Sequence, residues 1–469
     1  MGIEEEIEEY DDEACEEIAD EEAASIARLE GRRLARYREQ DRKRRALISR
    51  FLGKKETVDA SVIQPRYYGE LLTWALHRYI ESTGCKVIRT VGFHYPKPVY
   101  IDVNTGREKQ QDLLRNGTII VEMDGDRLAV TVDINMERLN SVVITGPADR
   151  KERIEKFAED VKSIMKSENF YRGRMIELRG RIRFPDLPKK TWDDLVLDEA
   201  TKNDIWANTI GFLSNRERLK EYGIPTKRGV LLVGEPGTGK TLTCKALMAK
   251  AEGVTCIIAS VDALEIPPYI YELYELAQDT SPSIVLIEDI DLIAQEREEF
   301  GYHRGSSLLV LLSVLDGVEE CDGVVTIATT NCQDTLDKAI AKRPSRFDRI
   351  IQYPKPALEE RKELVKLLCQ KVPLDDDVRG YVALKTENFT PAQIQEVVFT
   401  LAIGYCQQND GEKPEVLTFS TEEVESAITK VSKRTGRSIG FTIPDTRNGE
   451  CVRHSIPLNN ERERRESNG

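Results

Sequence analysis

Gly234-Glu235-Pro236-Gly237-Thr238-Gly239-Lys240-Thr241 follows directly on the apolar run Val230 to Val233, and this pairing constrains the chain more than any other stretch of it. The run predicts a buried strand, and the glycines predict a tight loop whose backbone N–H groups converge on one point. The spacing G-x-x-x-x-G-K-[ST] suits a phosphate-binding loop: amides cradle the phosphates, Lys240 reaches the terminal ones, and the Thr241 hydroxyl joins a Mg²⁺ shell. Leu242 to Lys250 is apolar-periodic, which supplies a helix whose positive end faces the same anion. A glycine-rich turn matching by chance is the competing reading, but it does not require strand, loop and helix in this order.

The 469 residues suffice for two or three domains with separate cores, and 40% hydrophobic with 32% charged residues describes a soluble globular chain. Apolar runs such as Ser283 to Ile287 and Val324 to Ala328 are too short to cross a bilayer, and the N-terminus lacks an export pattern, so a cytoplasmic protein with no membrane span is expected. Nine cysteines show no paired spacing. Cys244, Cys256, Cys369 and Cys406 sit in apolar-periodic segments, as small core residues do, and no cysteine metal site is expected. A net charge of -14 argues against nucleic-acid binding by bulk electrostatics.

Along the chain the texture changes four times. Residues 1 to 22 are acidic and lack Lys and Arg, whereas Arg28 to Arg50 is strongly basic; 1–57 is therefore expected as a charged arm, helical or disordered. Residues 58–172 have an α+β pattern, with helices at Tyr67 to Ile80 and Arg150 to Lys166. Strands are expected at Lys86 to Phe93, Gly117 to Met123, Leu128 to Asp133 and Ser141 to Thr145, and Gly125-Asp126 predicts a hairpin. His77 and His94 stand apart from other candidate metal ligands and read as core or surface histidines. From 173 to 354 a strand-like linker, rich in arginine between Arg172 and Arg183, leads into alternating strands and helices. The strands are Val230 to Val233, Val254 to Ala259, Ile284 to Glu288, Val324 to Thr329 and Arg349 to Tyr353, which predicts a parallel sheet. Residues 355–433 have helical spacing throughout, and 434–469 form a polar tail in which Arg437 to Ile443 could pair as an edge strand.

Three further groups fall where a parallel sheet would gather them. Glu288 and Asp289 end the apolar run Ile284 to Ile287; one carboxylate can hold the Mg²⁺ shell while the other polarises water. Asn331 ends the next strand with an amide able to orient that water, although an asparagine there is by itself an ordinary turn residue. Arg343, Arg346 and Arg349 recur at intervals of three before the last strand. Alone they would be a surface cluster; beside a phosphate loop they read as arginine fingers.

In this order GEPGTGKT, IVLIEDID, LLSVLDGVE, IATTN and LDKAIAKRPSRFDR closely resemble the AAA family of ATPases over about Trp192 to Ser432, and the phrasing around GIPTKRGVLLVGEPGTGKT is most similar to its Bcs1-type branch and related prokaryotic members. The resemblance implies a P-loop AAA+ core with a five-stranded parallel sheet, an all-α lid, ATP and Mg²⁺ as ligands, and a homo-oligomeric ring, usually a hexamer. Carried across residue by residue, it implies that Glu235 to Leu242 (Glu235, Pro236, Gly237, Thr238, Gly239, Lys240, Thr241, Leu242) surround the phosphates and that Thr241 and Glu288 serve the metal. Asp289 and Asn331 then act on water, Arg343 and Arg346 act on a neighbour's nucleotide, and Ala392, in Phe389-Thr390-Pro391-Ala392, approaches the adenine.

The chain departs from the family pattern in three ways. Most members have Asp then Glu at the strand end, so Asp289 is shorter by one carbon–carbon bond, about 1.5 Å. No aromatic-apolar-Gly triplet occurs between Ser260 and Ser281, where threading members carry a pore loop; Tyr269 is the available substitute. Bcs1-type proteins are membrane-anchored, and no anchor is evident here. The expected function is an ATP-driven ring that remodels or moves a protein partner recruited by the N-terminal region. The alternatives are an ATP-controlled assembly scaffold with slow hydrolysis, and a DNA-associated motor suggested by Arg28 to Arg50.

Overall fold

A computed structural model describes residue 39, residues 41–435 apart from 54–55, 106–110, 136–138, 180, 187–189, 265, 296–304, 317–320, 332–346 and 409–413, and the pieces 443–445 and 450–452. The chain divides into two compact units, Met1–Phe170 and Tyr171–Gly469.

The first unit is built on an antiparallel sheet. Helix α1 (41–51) precedes β1 (Thr57–Gln64), α2 (Gly69–Ser82), β2 (Lys86–Val91), β3 (Val99–Val103), β4 (Gln111–Met123), β5 (Asp126–Asp133), β6 (Asn140–Pro147) and α3 (Lys151–Ser167). The strand order is β1-β6-β5-β4-β2, with β3 also paired to β4. The β4–β5 turn at Asp124-Gly125 has φ of 48° and 83°, the left-handed pair that a two-residue hairpin demands. From Leu128 to Val132 every residue of β5 is buried, because helices cover both faces. Leu128 faces α3: a methyl group on Gly146 would lie 2.6 Å from Leu128 and 2.8 Å from Ile154. Ala129, on the opposite face, clusters with Ile120, Ile48 and Leu52.

Helix α1 was expected only as part of a charged arm, yet its apolar side packs on the sheet. Its charges are satisfied locally: Arg44 donates to Asp41 at 2.7 Å and to Thr131 at 3.1 Å, and its guanidinium lies 4.6 Å from the Phe93 ring centre. Strands β1 and β3 were not foreseen, since β1 buries only Val62 and so shows little apolar alternation. His94 Nε2 lies 2.9 Å from Asp133, which also accepts a hydrogen bond from Asn116.

The second unit contains β7 (Met175–Arg179), β8 (Arg181–Arg183), α4 (Glu199–Ala207), α5 (Ile210–Ser214), α6 (Arg216–Glu221), β9 (Arg228–Val233), α7 (Lys240–Lys250), β10 (Thr255–Ala259), α8 (Pro267–Asp279), β11 (Ser283–Ile287), α9 (Ile290–Gln295), α10 (Gly305–Asp316), β12 (Val324–Thr330) and β13 (Arg349–Gln352). Its sheet order is β13-β9-β12-β11-β10-β7-β8. The five expected strands form its parallel core, and the arginine-rich linker adds two more: β7 runs parallel to β10 and β8 folds back antiparallel on β7. Ile176 and Leu178 are fully buried, which explains why this segment joins the sheet rather than crossing the surface.

Alternation along the strands gives the sheet two apolar faces. Val230, Leu232, Ile284, Leu286, Val325 and Ile327 share a core with Leu247 of α7 and Ile205 of α4. On the neighbouring position of β12, Thr326 meets the buried Tyr274 hydroxyl of α8 at 2.8 Å. Among the described residues four helices follow the sheet, α11 (Leu358–Leu368), α12 (Asp376–Lys385), α13 (Pro391–Gln408) and α14 (Thr421–Thr435), with their own core around Val365, Val382, Ile394, Val398 and Val424. Thr390 and Gln393 cap α13 reciprocally, each side chain accepting from the other's backbone N–H. Cys244 and Cys256 are buried as expected of core thiols, but Cys406 is exposed near the end of α13. The edge strand expected at Arg437 to Ile443 falls mostly outside the described residues; Ile443–Asp445 pairs instead with Glu450–Val452.

Candidate functional site

All five core strands point the same way, so the segments leaving their C-terminal ends gather along one edge of the sheet. The loop 234–239 leaves β9 at this edge and turns into α7. Gly237 and Gly239 adopt φ of 81° and 100°, a region that side chains with a Cβ resist. Gly234 is required for a different reason: a methyl group there would lie 2.7 Å from the carbonyl oxygen of Tyr353, just beyond β13. The loop is also fixed from within, since the Thr238 hydroxyl donates to the Glu235 carbonyl at 2.9 Å.

Lys240 is buried at the first turn of α7. Its ammonium donates to the carbonyls of Gly234 at 2.6 Å and Glu235 at 3.1 Å, and to Oδ1 of Asn331 at 2.9 Å. Burial holds its pKa below the ordinary lysine value, against the opposing pull of Asp289 and Asp291. Asn331, one residue beyond β12, uses its other side-chain atom to donate to Asp289 at 3.0 Å. The expected residues Lys240, Asn331 and Asp289 thus form one hydrogen-bonded chain across three strand ends.

Asp289 itself lies in the left-handed region at φ 49°, where a non-glycine residue persists only if its surroundings hold it. Its backbone N–H donates to the Thr329 hydroxyl at 3.0 Å. Burial, then the Asp291 carboxylate, raise its pKa above the usual aspartate value, while Lys240 and Asn331 oppose the rise. Glu288 turns elsewhere and pairs with Lys245 of α7 at 3.4 Å.

Thr241 and Leu242 are exposed on the first turn of α7, and Glu235 and Pro236 are exposed on the loop. Ala392 reaches this loop from the lid: its N–H donates to the Gly237 carbonyl at 3.1 Å, and a methyl group on Gly237 would stand 2.8 Å from the Ala392 Cβ. Lys355 adds a 2.7 Å ion pair to Glu235. Arg343 and Arg346 lie outside the described residues. Arg349, the third of that series, is a structural group on β13 that clamps Asp204 of α4 at 2.6 Å.

Several partners were not singled out from sequence. Asp291 accepts from the Thr330 hydroxyl at 3.0 Å and the Asn331 N–H at 3.3 Å, and the Tyr353 hydroxyl bonds Thr243 beneath the loop. Asp291 was visible as the last residue of IVLIEDID, but only the three-dimensional pairing of β11 with β12 gives it a partner. Lys245 carried no motif signal at all.

The residues fit a Mg²⁺ nucleoside triphosphate. A convergent loop with a buried ammonium supplies the phosphate side. The hydroxyl of Thr241 and the carboxylate of Glu288 are hard oxygen donors, suited to a cation held largely through phosphate oxygens.

Residues 230–355 match the family described as "ATPase family associated with various cellular activities (AAA)". Over 231 residues the chain is 37% identical to the proteasome-activating nucleotidase of Sulfurisphaera tokodaii, covering 47% of this chain and 58% of that protein. It is 32% identical over 274 residues to the proteasome-activating nucleotidase of Aeropyrum pernix, covering 56% and 66% respectively. With the ATP-dependent zinc metalloprotease FtsH of Aquifex aeolicus the identity is 31% over 276 residues, covering 56% and 42%. The chain therefore spans between 42% and 66% of the length of these relatives. Loop, strand ends and matches coincide on the same stretch, and residues 230–355 are a domain of the AAA family of ATPases, whose ligands are ATP and Mg²⁺.

Proposed function

We propose that this chain hydrolyses ATP as a homo-oligomeric ring, a hexamer by family likeness, and uses the cycle to remodel or move a protein partner recruited by the region before residue 173. The hydrogen-bonded chain Lys240–Asn331–Asp289 beside the phosphate loop is the observation that carries the hydrolytic part. Protein handling rests on the relatives, which are named as proteasome-activating nucleotidases and a metalloprotease. A cytoplasmic setting is part of the proposal; among the described residues no helix is long and apolar enough to cross a membrane.

In this reading the amides of 235–242 hold the phosphates and Lys240 exchanges its carbonyl partners for terminal phosphate oxygens. Thr241 and Glu288 hold the metal, which when bound neutralises charge on the phosphates. Asp289 takes the proton of the attacking water, at the place where its carboxylate accepts from Asn331. Asn331 orients the same water, Ala392 brings the lid to the adenine side, and Arg343 and Arg346 reach a neighbouring subunit's nucleotide.

Steady-state phosphate release by the purified full chain, with Mg²⁺ and with the metal chelated, tests the proposal. Lys240→Ala is expected to lower turnover by more than about a hundredfold, as loss of a buried charge on the transferring group does. Wild-type turnover no higher than that of Lys240→Ala would sink the ATPase assignment. A slow timer that governs assembly is the second reading, favoured by the inward hydrogen bond of the short Asp289 side chain to Asn331. Partner-independent turnover coupled to ATP-dependent assembly would support it over remodelling.

A further inference from the structure

The residue that ties the water-handling pair together is one that touches neither phosphate loop nor metal donors. Asp291 sits in the first turn of α9, three residues after Glu288, with its side chain almost wholly withdrawn from solvent at 5% exposure. An acidic residue in the first turn of a helix is ordinarily a solvated partner of the helix N-terminus. This one faces the adjacent strand end instead. Its Oδ1 accepts from the Thr330 hydroxyl at 3.0 Å and from the Asn331 backbone N–H at 3.3 Å. Thr330 is itself fully buried and closes β12, so both bonds act on the last rigid point before the Asn331 side chain.

A second strut crosses the same gap in the opposite sense, from the Asp289 N–H to the Thr329 hydroxyl at 3.0 Å. The ends of β11 and β12 are thus stitched by side chains where the backbone ladder stops, between Ile287 and Ala328. With these in place Asn331 can bridge Lys240 and Asp289; without the Asp291 bonds its backbone has no side-chain anchor from α9. A buried carboxylate is costly unless donors compensate it, and the donors that do so here both belong to the Thr330-Asn331 strand end.

We propose that Asp291 is a positioning residue for ATP hydrolysis, which fixes the Thr330-Asn331 backbone through its paired hydrogen bonds and so sets Asn331 against Asp289. This rests on the ATPase reading above. Its role is to accept hydrogen bonds at a fixed point, so an isosteric acceptor serves as well as a carboxylate, and a residue without an acceptor does not.

The test compares Asp291→Ala, Asp291→Asn and Thr330→Val in the full chain, measuring kcat and the KM for ATP, with thermal melts confirming a folded protein. Asp291→Ala is expected to lower kcat about 10- to 100-fold, the range for a displacement near 1 Å at a reacting centre, with KM little changed. Asp291→Asn restores kcat to within about threefold of wild type, because its amide oxygen accepts the same two bonds. Thr330→Val, which removes one donor and keeps the volume, is expected to be intermediate, and adding it to Asp291→Ala should cost nothing further. A folded Asp291→Ala enzyme with wild-type kcat overturns the proposal. So does an Asp291→Asn enzyme as slow as Asp291→Ala, since charge rather than position would then be the cause. Amide resonances of Asn331 in asparagine-labelled protein give a readout independent of turnover: they should move in Asp291→Ala and return in Asp291→Asn. Absence of wild-type hydrolysis would remove the ATPase reading, and these resonances would still decide the positioning role, unchanged spectra in Asp291→Ala overturning it.

Discussion

The two sheets of this protein differ in depth of burial and in where their amide and charged side chains meet: β1 and β2 are largely open to solvent, whereas β10, β11 and β12 are buried throughout. In the first unit the polar residues lie within the strands and are satisfied across them: Thr118 meets Thr131 at 3.0 Å, and Asn116 meets Asp133 at 2.9 Å. In the second unit β9, β10 and β11 have buried apolar interiors, and the charged residues begin where β11 ends, at Glu288, Asp289 and Asp291. The difference follows from strand direction. Antiparallel strands alternate their C-terminal ends between two edges, so groups placed after each strand are dispersed. Parallel strands bring every C-terminal end to one edge, and residues 42 positions apart, such as Asp289 and Asn331, become neighbours.

That contrast can be broken by mutation, because damage to one sheet should be read in ATP binding and damage to the other in stability. The largest effect is expected from Gly237→Val. Its side chain would meet Ala392 and Thr390 at a φ of 81°, so loop and lid must part, and ATP affinity should fall by about a hundredfold or more in a titration. An unaltered affinity would show that the lid contact is dispensable. Next comes Ile48→Ala on α1, which removes part of the cover over Ile120 and Ala129. Chemical denaturation should report a loss of about 2–4 kcal/mol for the first unit, with ATP affinity unchanged. The smallest is Thr118→Val, which leaves Thr131 with Arg44 as its remaining partner and should cost about 1 kcal/mol by the same measurement. A Thr118→Val chain that loses ATP affinity would contradict the separation of roles.

The same topology governs how much could be read from the residue string. Lys240, Glu288, Asp289 and Asn331 were legible because each follows an apolar run, and the parallel order turns that sequence position into a place at one edge. Helix α1 was obscured because Arg42 to Arg45 dominate its composition, while the apolar side is carried by Ile48, Phe51 and Leu52 alone. Strand β1 was obscured by its edge position, which leaves Ile63 outside and Val62 inside without further alternation. Asp291 and Lys245 take their significance from contacts across elements, and no local spacing encodes those. The Bcs1-type likeness and the roles of Arg343 and Arg346 rest on motif phrasing alone.

Strand β7 has a consequence for where the ATPase begins as a portable piece. The motif-bearing segment opens near Trp192, but β10 already has a neighbour supplied from upstream, and Cys256 donates its N–H to the Arg174 carbonyl at 2.7 Å. Cutting the chain between Arg183 and Trp192 would strip that neighbour away and leave β10 with a raw, sticky margin of unpaired amides and carbonyls. A transplantable version of this engine therefore starts near Tyr171, and any excision guided by the motifs alone would take too little.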